Sequence, residues 1–116
     1  MAGVFIGGAL CRIPVLIDGF ISSVSALVAA RLCPACTQSM LASHVSAEPA
    51  AQLALDALGL KPLITAGMRL GEGTGAVCAL PLLDMALTIY RDMPTFSGMG
   101  IDAYKPLGGE EQCERS

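Results

Sequence analysis

Tryptophan is absent from this sequence, and only three Phe and two Tyr supply its aromatic side chains. Charged residues are also scarce, at 15% of the 116 residues, while 53% of the chain is hydrophobic. A core with so few aromatics must be filled by small and branched aliphatic side chains. This composition suits one layered α/β domain, or a segment whose apolar faces expect further neighbours.

The sequence also lacks a run of basic residues, and its formal net charge is −3. This argues against nucleic-acid binding, because contacts with phosphates require clustered Lys and Arg. No apolar run reaches the roughly 20 residues that a membrane-spanning helix needs. Residues 1–10 are apolar, but they contain three glycines and no preceding Lys or Arg, so they do not match a signal peptide. We therefore expect a cytoplasmic protein that binds neither nucleic acid nor a membrane.

Five cysteines are present, an odd number without regular spacing. Such cysteines are typical of free thiols in a reducing compartment. Cys33 and Cys36 do form a C-x-x-C pattern, for which a redox pair or half of a zinc site is the alternative interpretation. The sequence has no second pair with ligand spacing, so we predict free thiols and no bound metal.

Short apolar segments alternate with helical patterns along the chain, which predicts an α/β fold with a parallel sheet. A regular apolar spacing predicts one stripe on the second helix, formed by Ile21, Val24, Val28 and Leu32. The expected order is a helix at residues 2–10, a strand at 13–18, a helix at 20–32, a strand at 39–43, a helix from the Ser46-to-Pro49 start signal to about 58, an extended segment at 63–64, a glycine loop at 69–76 and a helix at 74–91.

Polar residues follow each strand-like segment. In parallel α/β folds, ligands bind beyond the C-terminal ends of the strands, so one edge of the sheet is expected to carry these residues together. Asp18 and Gly19 follow the first strand, where the carboxylate either accepts hydrogen bonds from ribose hydroxyls or stabilises a turn. Ser43 and Ser46 follow the second, where their hydroxyls either cap a helix or bind phosphate at its N-terminus.

Glu72 lies between Gly71 and Gly73, which leave its carboxylate unshielded and allow the backbone to approach a ligand closely. A helix is predicted to start directly after this loop, and its dipole favours a negative charge there. An ionised carboxylate in that position is competent as a general base. The alternative interpretation is a glutamate that only caps the helix.

Together these segments resemble one family, nicotinate-nucleotide–dimethylbenzimidazole phosphoribosyltransferase, over about residues 1–100. The resemblance implies part of a Rossmann-like parallel sheet flanked by helices, a homodimer, and no metal or organic cofactor. Residues 1–104 would be the C-terminal part of the α/β domain. The composition of residues 105–116, which is Gly-rich and acidic, predicts a disordered tail. The segments that carry the resemblance are Val15–Ile21, Ala29–Leu32, Ala42–Pro49, Ala57–Leu63, Arg69–Ala76 and Leu80–Leu83.

The resemblance also implies a reaction. Phosphoribosyl passes from nicotinate mononucleotide to 5,6-dimethylbenzimidazole, giving α-ribazole 5'-phosphate and nicotinate for the nucleotide loop of cobalamin. Glu72 matches the catalytic base of the family. Val45 and Ala51 depart from the family pattern, which commonly has a basic residue and a histidine there. The substrate-binding residues implied by the resemblance are Asp18, Gly19, Ser43, Ser46, Leu70, Gly71 and Gly73.

Family members are considerably longer than this chain. The enzymatic interpretation therefore expects a homodimer, or pairing with a missing N-terminal part that is supplied by a longer chain or a partner. Two other interpretations stay open at this point. One is a noncatalytic remnant that folds and pairs but turns nothing over, and the other is a thiol or metal protein that uses Cys33 and Cys36.

Overall fold

A computed structural model describes residues 1–95 and 97–100. It divides the chain into two compact units, Met1–Met85 and Ala86–Ser116, and the first contains both strands. The tail predicted for residues 105–116 lies outside the described residues. The elements are α1 (Ala2–Leu10), β1 (Val15–Ile17), α2 (Phe20–Leu32), a 3-10 helix (Pro34–Ser39), β2 (Met40–Ala42), α3 (Ala51–Leu58), α4 (Thr74–Asp92) and a second 3-10 helix (Ser97–Met99).

The two strands form a parallel sheet, with α2 and the first 3-10 helix making the crossover between them. Ile17 aligns with Ala42 at the C-terminal end of the pair. Beyond β2, His44 forms an isolated parallel bridge with Ile64, so the segment predicted as extended continues the sheet by one step. The predicted fold class, a parallel α/β sheet flanked by helices, is confirmed.

The core lies between the sheet, α1, α2 and the first 3-10 helix. Close approach of α1 to β1 depends on Gly8, because a Cβ at that position would overlap the side chain of Val15. Burying each large apolar side chain here contributes roughly 1.5–3 kcal/mol relative to leaving it exposed. The buried cluster consists of Phe5, Ile17, Ala26, Ala29, Cys36 and Met40.

Helix α2 begins and ends at the predicted residues, but its predicted apolar stripe is not in the core. Ile21, Val24, Val28 and Leu32 are 74%, 40%, 47% and 72% exposed, respectively. The buried face of α2 consists of Ser23, Ala26 and Ala29 instead. Small side chains on that face allow the helix to pack closely on its neighbours, so the larger residues point away from the core of the described chain.

Helix α3 begins at Ala51, so the prediction of a helix start at Ser46 is wrong. The cause is tertiary pairing of the backbone before the helix. Val45 donates its N–H to Ile64, at 3.2 Å, and Ala47 donates to Met68, at 2.9 Å. These two bonds keep the segment extended against the chain that leads to α4. The predicted helix end is confirmed, since Gly59 closes α3 in the left-handed conformation, with φ +68°.

None of the helices in the described part of the chain combines the length and apolarity needed to cross a bilayer.

Candidate active site

A cavity of about 730 Å³ opens at the C-terminal ends of the strands. One side of it follows β1, a second follows β2, and the glycine loop before α4 forms a third. Seven of the eight residues predicted for the site line this cavity, and they come from all three sides. These residues are Asp18, Gly19, Ser46, Leu70, Gly71, Glu72 and Gly73.

Asp18 attaches the glycine loop to the end of β1. One of its carboxylate oxygens accepts a hydrogen bond from the N–H of Gly73 at 3.1 Å, and the other accepts one from the N–H of Ala76 at 3.0 Å. Such N–H groups at a helix start have no partner within their own helix. Asp18 therefore caps α4 from a different element. Hydrogen bonds to a charged group contribute about 1.5–3 kcal/mol, which makes this pair a substantial restraint on the loop.

Glu72 has an unusual backbone conformation, with φ +57°, between Gly71 at +79° and Gly73 at +78°. For a residue with a Cβ, the left-handed region costs about 1–2 kcal/mol. The turn is closed by Thr74, whose N–H and hydroxyl both donate to the carbonyl of Gly71, at 3.1 and 2.5 Å. The exposed Glu72 side chain thus lies on a restrained turn beside the same cavity as Asp18 and Ser46.

The two predicted serines have different surroundings. Ser46 is half-buried beside the cavity, and its hydroxyl donates to the carboxylate of Glu48 at 3.1 Å. Ser43 is fully buried, and its hydroxyl donates to the carbonyl of Ile17 at 2.6 Å. Its role in substrate binding stays a prediction. Neither serine lies at a helix N-terminus, because α3 begins only at Ala51, so that part of the prediction is wrong, while phosphate binding by Ser46 stays a prediction.

Sequence patterns assigned no specific role to His44, yet the structure places it in the lining of the cavity. It is 3% exposed, lines the cavity, and its Nδ1 lies 3.2 Å from the hydroxyl of Ser43 and 3.9 Å from the carboxylate of Asp18. Arg69, at the beginning of the glycine loop, also lines the cavity and brings a positive charge to it. His44 directly follows Ser43, and Arg69 directly precedes Leu70, both of which were predicted for the site. Those neighbours were the signal that the sequence offered for the two residues.

The wall of the cavity beside α1, β1 and the start of α2 is apolar. Aliphatic and aromatic side chains there suit the flat face of an aromatic ligand, while the polar residues lie on the other sides. The apolar lining residues are Met1, Val4, Phe5, Val15, Leu16, Phe20 and Ile21.

The C-x-x-C pair lies at the opposite end of the strands, near Pro14 and Ser39, which precede β1 and β2. Cys36 is buried, and burial raises the pKa of its thiol, with neighbouring Cys33 raising it further. A raised pKa keeps the thiol protonated and unreactive. Within residues 1–95 and 97–100, no group of three or more His, Cys, Asp or Glu side chains is arranged to hold a metal ion. The burial of Cys36 and the raised pKa of its thiol argue against the redox interpretation.

Comparison with known proteins defines the class first. Residues 1–101 match the phosphoribosyltransferase family model DBI_PRT, and the chain belongs to that family. Its relatives include nicotinate-nucleotide–dimethylbenzimidazole phosphoribosyltransferases from Acetivibrio thermocellus, at 48% identity over 91% of this chain, and from Halalkalibacterium halodurans, at 44% over 96%. The particular family is therefore that of nicotinate-nucleotide–dimethylbenzimidazole phosphoribosyltransferase, as the sequence resemblance predicted.

Solved structures agree with this assignment. The crystal structure of CobT from Thermus thermophilus superposes with a TM-score of 0.80 at 40% identity, covering 87% of this chain and 30% of that one. A second Thermus thermophilus structure, of nicotinate-nucleotide–dimethylbenzimidazole phosphoribosyltransferase, gives a TM-score of 0.81 and covers 31% of its chain. The chain likewise spans only 30–31% of the length of the two curated relatives above.

Proposed function

We propose that this chain supplies the base-bearing part of an enzyme that transfers phosphoribosyl from nicotinate mononucleotide to 5,6-dimethylbenzimidazole. The products are α-ribazole 5'-phosphate and nicotinate. The names of the relatives support the assignment of these two substrates. The observation that carries the proposal is the position of Glu72, an exposed carboxylate on a restrained turn beside a cavity with polar and apolar walls.

In the proposed reaction, one ring nitrogen of dimethylbenzimidazole forms a bond to the anomeric carbon of the ribose. The bond from that carbon to the pyridine nitrogen breaks, and its electron pair leaves with nicotinate, whose ring becomes neutral. The second ring nitrogen loses its proton to the carboxylate of Glu72, which prevents a cationic benzimidazole product. The same negative charge stabilises the positive charge that develops on the sugar.

The polar sides of the cavity suit the mononucleotide. We assign the phosphate and ribose to the hydroxyl of Ser46 and the backbone at Gly71, with Arg69 as the cation beside them. Gly73 allows close approach of the ligand, while its own N–H stays bonded to Asp18. Each oxygen of Asp18 already accepts one hydrogen bond from the loop, and its remaining lone pairs are available to a ribose hydroxyl. Leu70, which is exposed at the cavity, would pack on the aromatic base.

Full activity is proposed to need more of the family chain than this one contains. Two features of the described residues support such a partner. Within the part of the chain that the structure describes, strand β1 pairs with β2 alone, so its other edge offers backbone groups to a further strand. The exposed apolar stripe on α2 is a second surface that packing would cover. A longer family chain, or a separate polypeptide with the rest of the family sequence, would supply a strand for the edge of β1 and a surface to cover the stripe on α2. A homodimer is the assembly that the family implies.

The test is release of nicotinate from nicotinate mononucleotide and dimethylbenzimidazole. It compares the chain alone with the chain mixed with the part of the Acetivibrio thermocellus relative that it does not match. We expect turnover in the mixture only, and its loss in Glu72→Gln. Asp56→Asn is the matched control, because that carboxylate lies on α3 and bonds to Gln52 outside the cavity lining.

Three outcomes would decide between the interpretations. Turnover by the chain alone would disprove the dependence on a partner. Full turnover by Glu72→Gln would show that Glu72 is not the base. Binding of nicotinate mononucleotide without turnover in any mixture would favour the noncatalytic interpretation.

A further inference from the structure

We propose that His44 is a positioning residue for Glu72, which acts through Asp18 and the start of α4. The inference rests on the proposed function, because it explains how the base is held in place. It goes further, because it assigns a defined proton state and a mechanical role to a histidine that the family resemblance left without a role.

The first observation is where His44 lies. Its backbone pairs with Ile64 in the isolated bridge, directly beyond β2. Its ring lies beside Asp18 and Gly19 at the end of β1, and beside Gly75 in the first turn of α4. One buried residue that follows β2 therefore lies next to the end of β1 and the start of α4.

The second observation identifies which ring nitrogen carries the proton. Ser43 has a single hydroxyl hydrogen, and the 2.6 Å bond to the carbonyl of Ile17 uses it. The oxygen of Ser43 can then only accept from His44, whose Nδ1 is 3.2 Å away. We therefore infer that Nδ1 of His44 carries a proton.

The carboxylate of Asp18 also favours a proton on Nδ1. Its nearest oxygen is 3.9 Å from Nδ1, which is too far for a hydrogen bond but close for an electrostatic contact. An Nδ1–H group presents the positive end of its dipole to the carboxylate, whereas an Nδ1 lone pair would repel it. This oxygen is the one that accepts from Ala76, so His44 stabilises the charge that caps α4.

Packing is the third observation. A Cβ on Gly75 would overlap the imidazole ring of His44, and a Cβ on Gly19 would lie 4.0 Å from it. The ring therefore packs directly against the backbone of α4 at Gly75, three residues after Glu72. Movement of this turn toward the sheet is blocked by the ring, and movement away is resisted by the bonds from Gly73 and Ala76 to Asp18.

An ordinary core histidine would fill space without these directional contacts, and two substitutions separate the interpretations. Asn places an N–H donor near the position of Nδ1, while Gln places its donor one carbon further out, near Nε2. A positioning role predicts that His44→Asn keeps the loop in place and His44→Gln does not. A role in filling space alone predicts similar losses in both.

The direct measurement is amide hydrogen exchange at Gly73 and Ala76, followed by NMR on the full chain. We expect His44→Gln to accelerate exchange at both amides about tenfold or more, and His44→Asn to leave it within about threefold of the original rate. Cys33, whose N–H bonds to Ala29 at the end of α2, is the reference amide. Equal acceleration at Cys33 would mean general loss of stability and would overturn the inference.

The nitrogen shifts of the imidazole give a second readout that does not depend on any variant folding. We expect the shift of an Nδ1 that carries a proton. An Nδ1 without a proton would overturn the inference. Neither NMR measurement needs a substrate, so an absence of turnover would sink the proposed function without deciding the role of His44.

In the active mixture, His44→Gln is expected to lower kcat at least tenfold while KM for nicotinate mononucleotide changes less than threefold. His44→Asn should restore most of kcat. A rise in KM without a fall in kcat would instead identify a residue that binds substrate.

Discussion

Asp18 accepts a hydrogen bond from the backbone of Gly73, which lies 55 residues further along the chain. This contact joins the end of β1 to the glycine loop that carries Glu72. A carboxylate predicted to bind substrate thus also holds the proposed base in position. The loop contributes its own rigidity through the Thr74 turn, but its attachment to the sheet depends on Asp18.

Replacing Asp18 with Ala should therefore destabilise the fold and loosen the loop. Two charge-assisted bonds are lost, and two N–H groups at the start of α4 are left without their acceptor. We expect the free energy of unfolding to fall by about 2–4 kcal/mol, measured in urea. Asp18→Asn keeps one acceptor oxygen and should lose less, and a change below about 0.5 kcal/mol in Asp18→Ala would contradict the cap.

Gly75→Ala should be destabilising because its Cβ would overlap His44. Overpacking of this kind costs about 1–3 kcal/mol. Gly7→Ala is the control, since this glycine lies inside α1 with open space where a methyl group would be added, and the change should raise stability by about 0.5–1 kcal/mol. Thermal unfolding of both variants gives the comparison. The double variant with His44→Ala should be less destabilised than the sum of the two single variants.

Glu72→Gly should separate stability from activity. Glycine adopts the left-handed conformation without the penalty of a Cβ. The free energy of unfolding of the variant is therefore expected to be about 1 kcal/mol higher. Turnover in the active mixture should be lost at the same time, because the proposed base is gone. A stable variant that retained turnover would show that another group accepts the proton.

Substitutions in the exposed stripe of α2 should affect association more than folding. Ile21→Gln is expected to change the free energy of unfolding by less than about 0.5 kcal/mol, because the side chain is already largely exposed. Sedimentation should show weaker self-association or weaker binding to the complementing polypeptide. Ala26→Gln, on the buried face of the same helix, is the control and should destabilise strongly. A large loss of stability in Ile21→Gln would place the stripe in the core instead.

Cys36 should react slowly with alkylating reagents in the folded chain. Burial raises the pKa of its thiol, so the reactive thiolate is disfavoured and access is blocked. The neutral thiol is the favoured buried form. Its contribution to stability is therefore present below the pKa of the unfolded thiol and is lost as the pH rises through the folded value. Mass spectrometry at neutral pH should show Cys11, which is exposed, modified well before Cys36.

Local signals in the sequence predicted several elements well. Helix α2 begins directly after Gly19, where the apolar pattern starts, and ends directly before Cys33, where Pro34 limits its continuation. Gly59 ends α3 in the left-handed conformation that glycine favours. The start of α3 was predicted wrongly, because the signal at Ser46 was as good locally as a real one. No helix forms at Ser46 because Val45 and Ala47 form backbone hydrogen bonds with a segment about 20 residues away.

By itself, the sequence determined the alternation of helices and short strands, the glycine turn at Glu72 and the family resemblance, since all three depend on neighbouring residues or on their order. Only the tertiary structure decided that Asp18 caps α4, that His44 lies against Gly75, and that the stripe of α2 faces outward. The physical reason is the same in each case. Hydrogen bonds and packing between distant segments depend on where the chain returns in space, and no local pattern of residues encodes that.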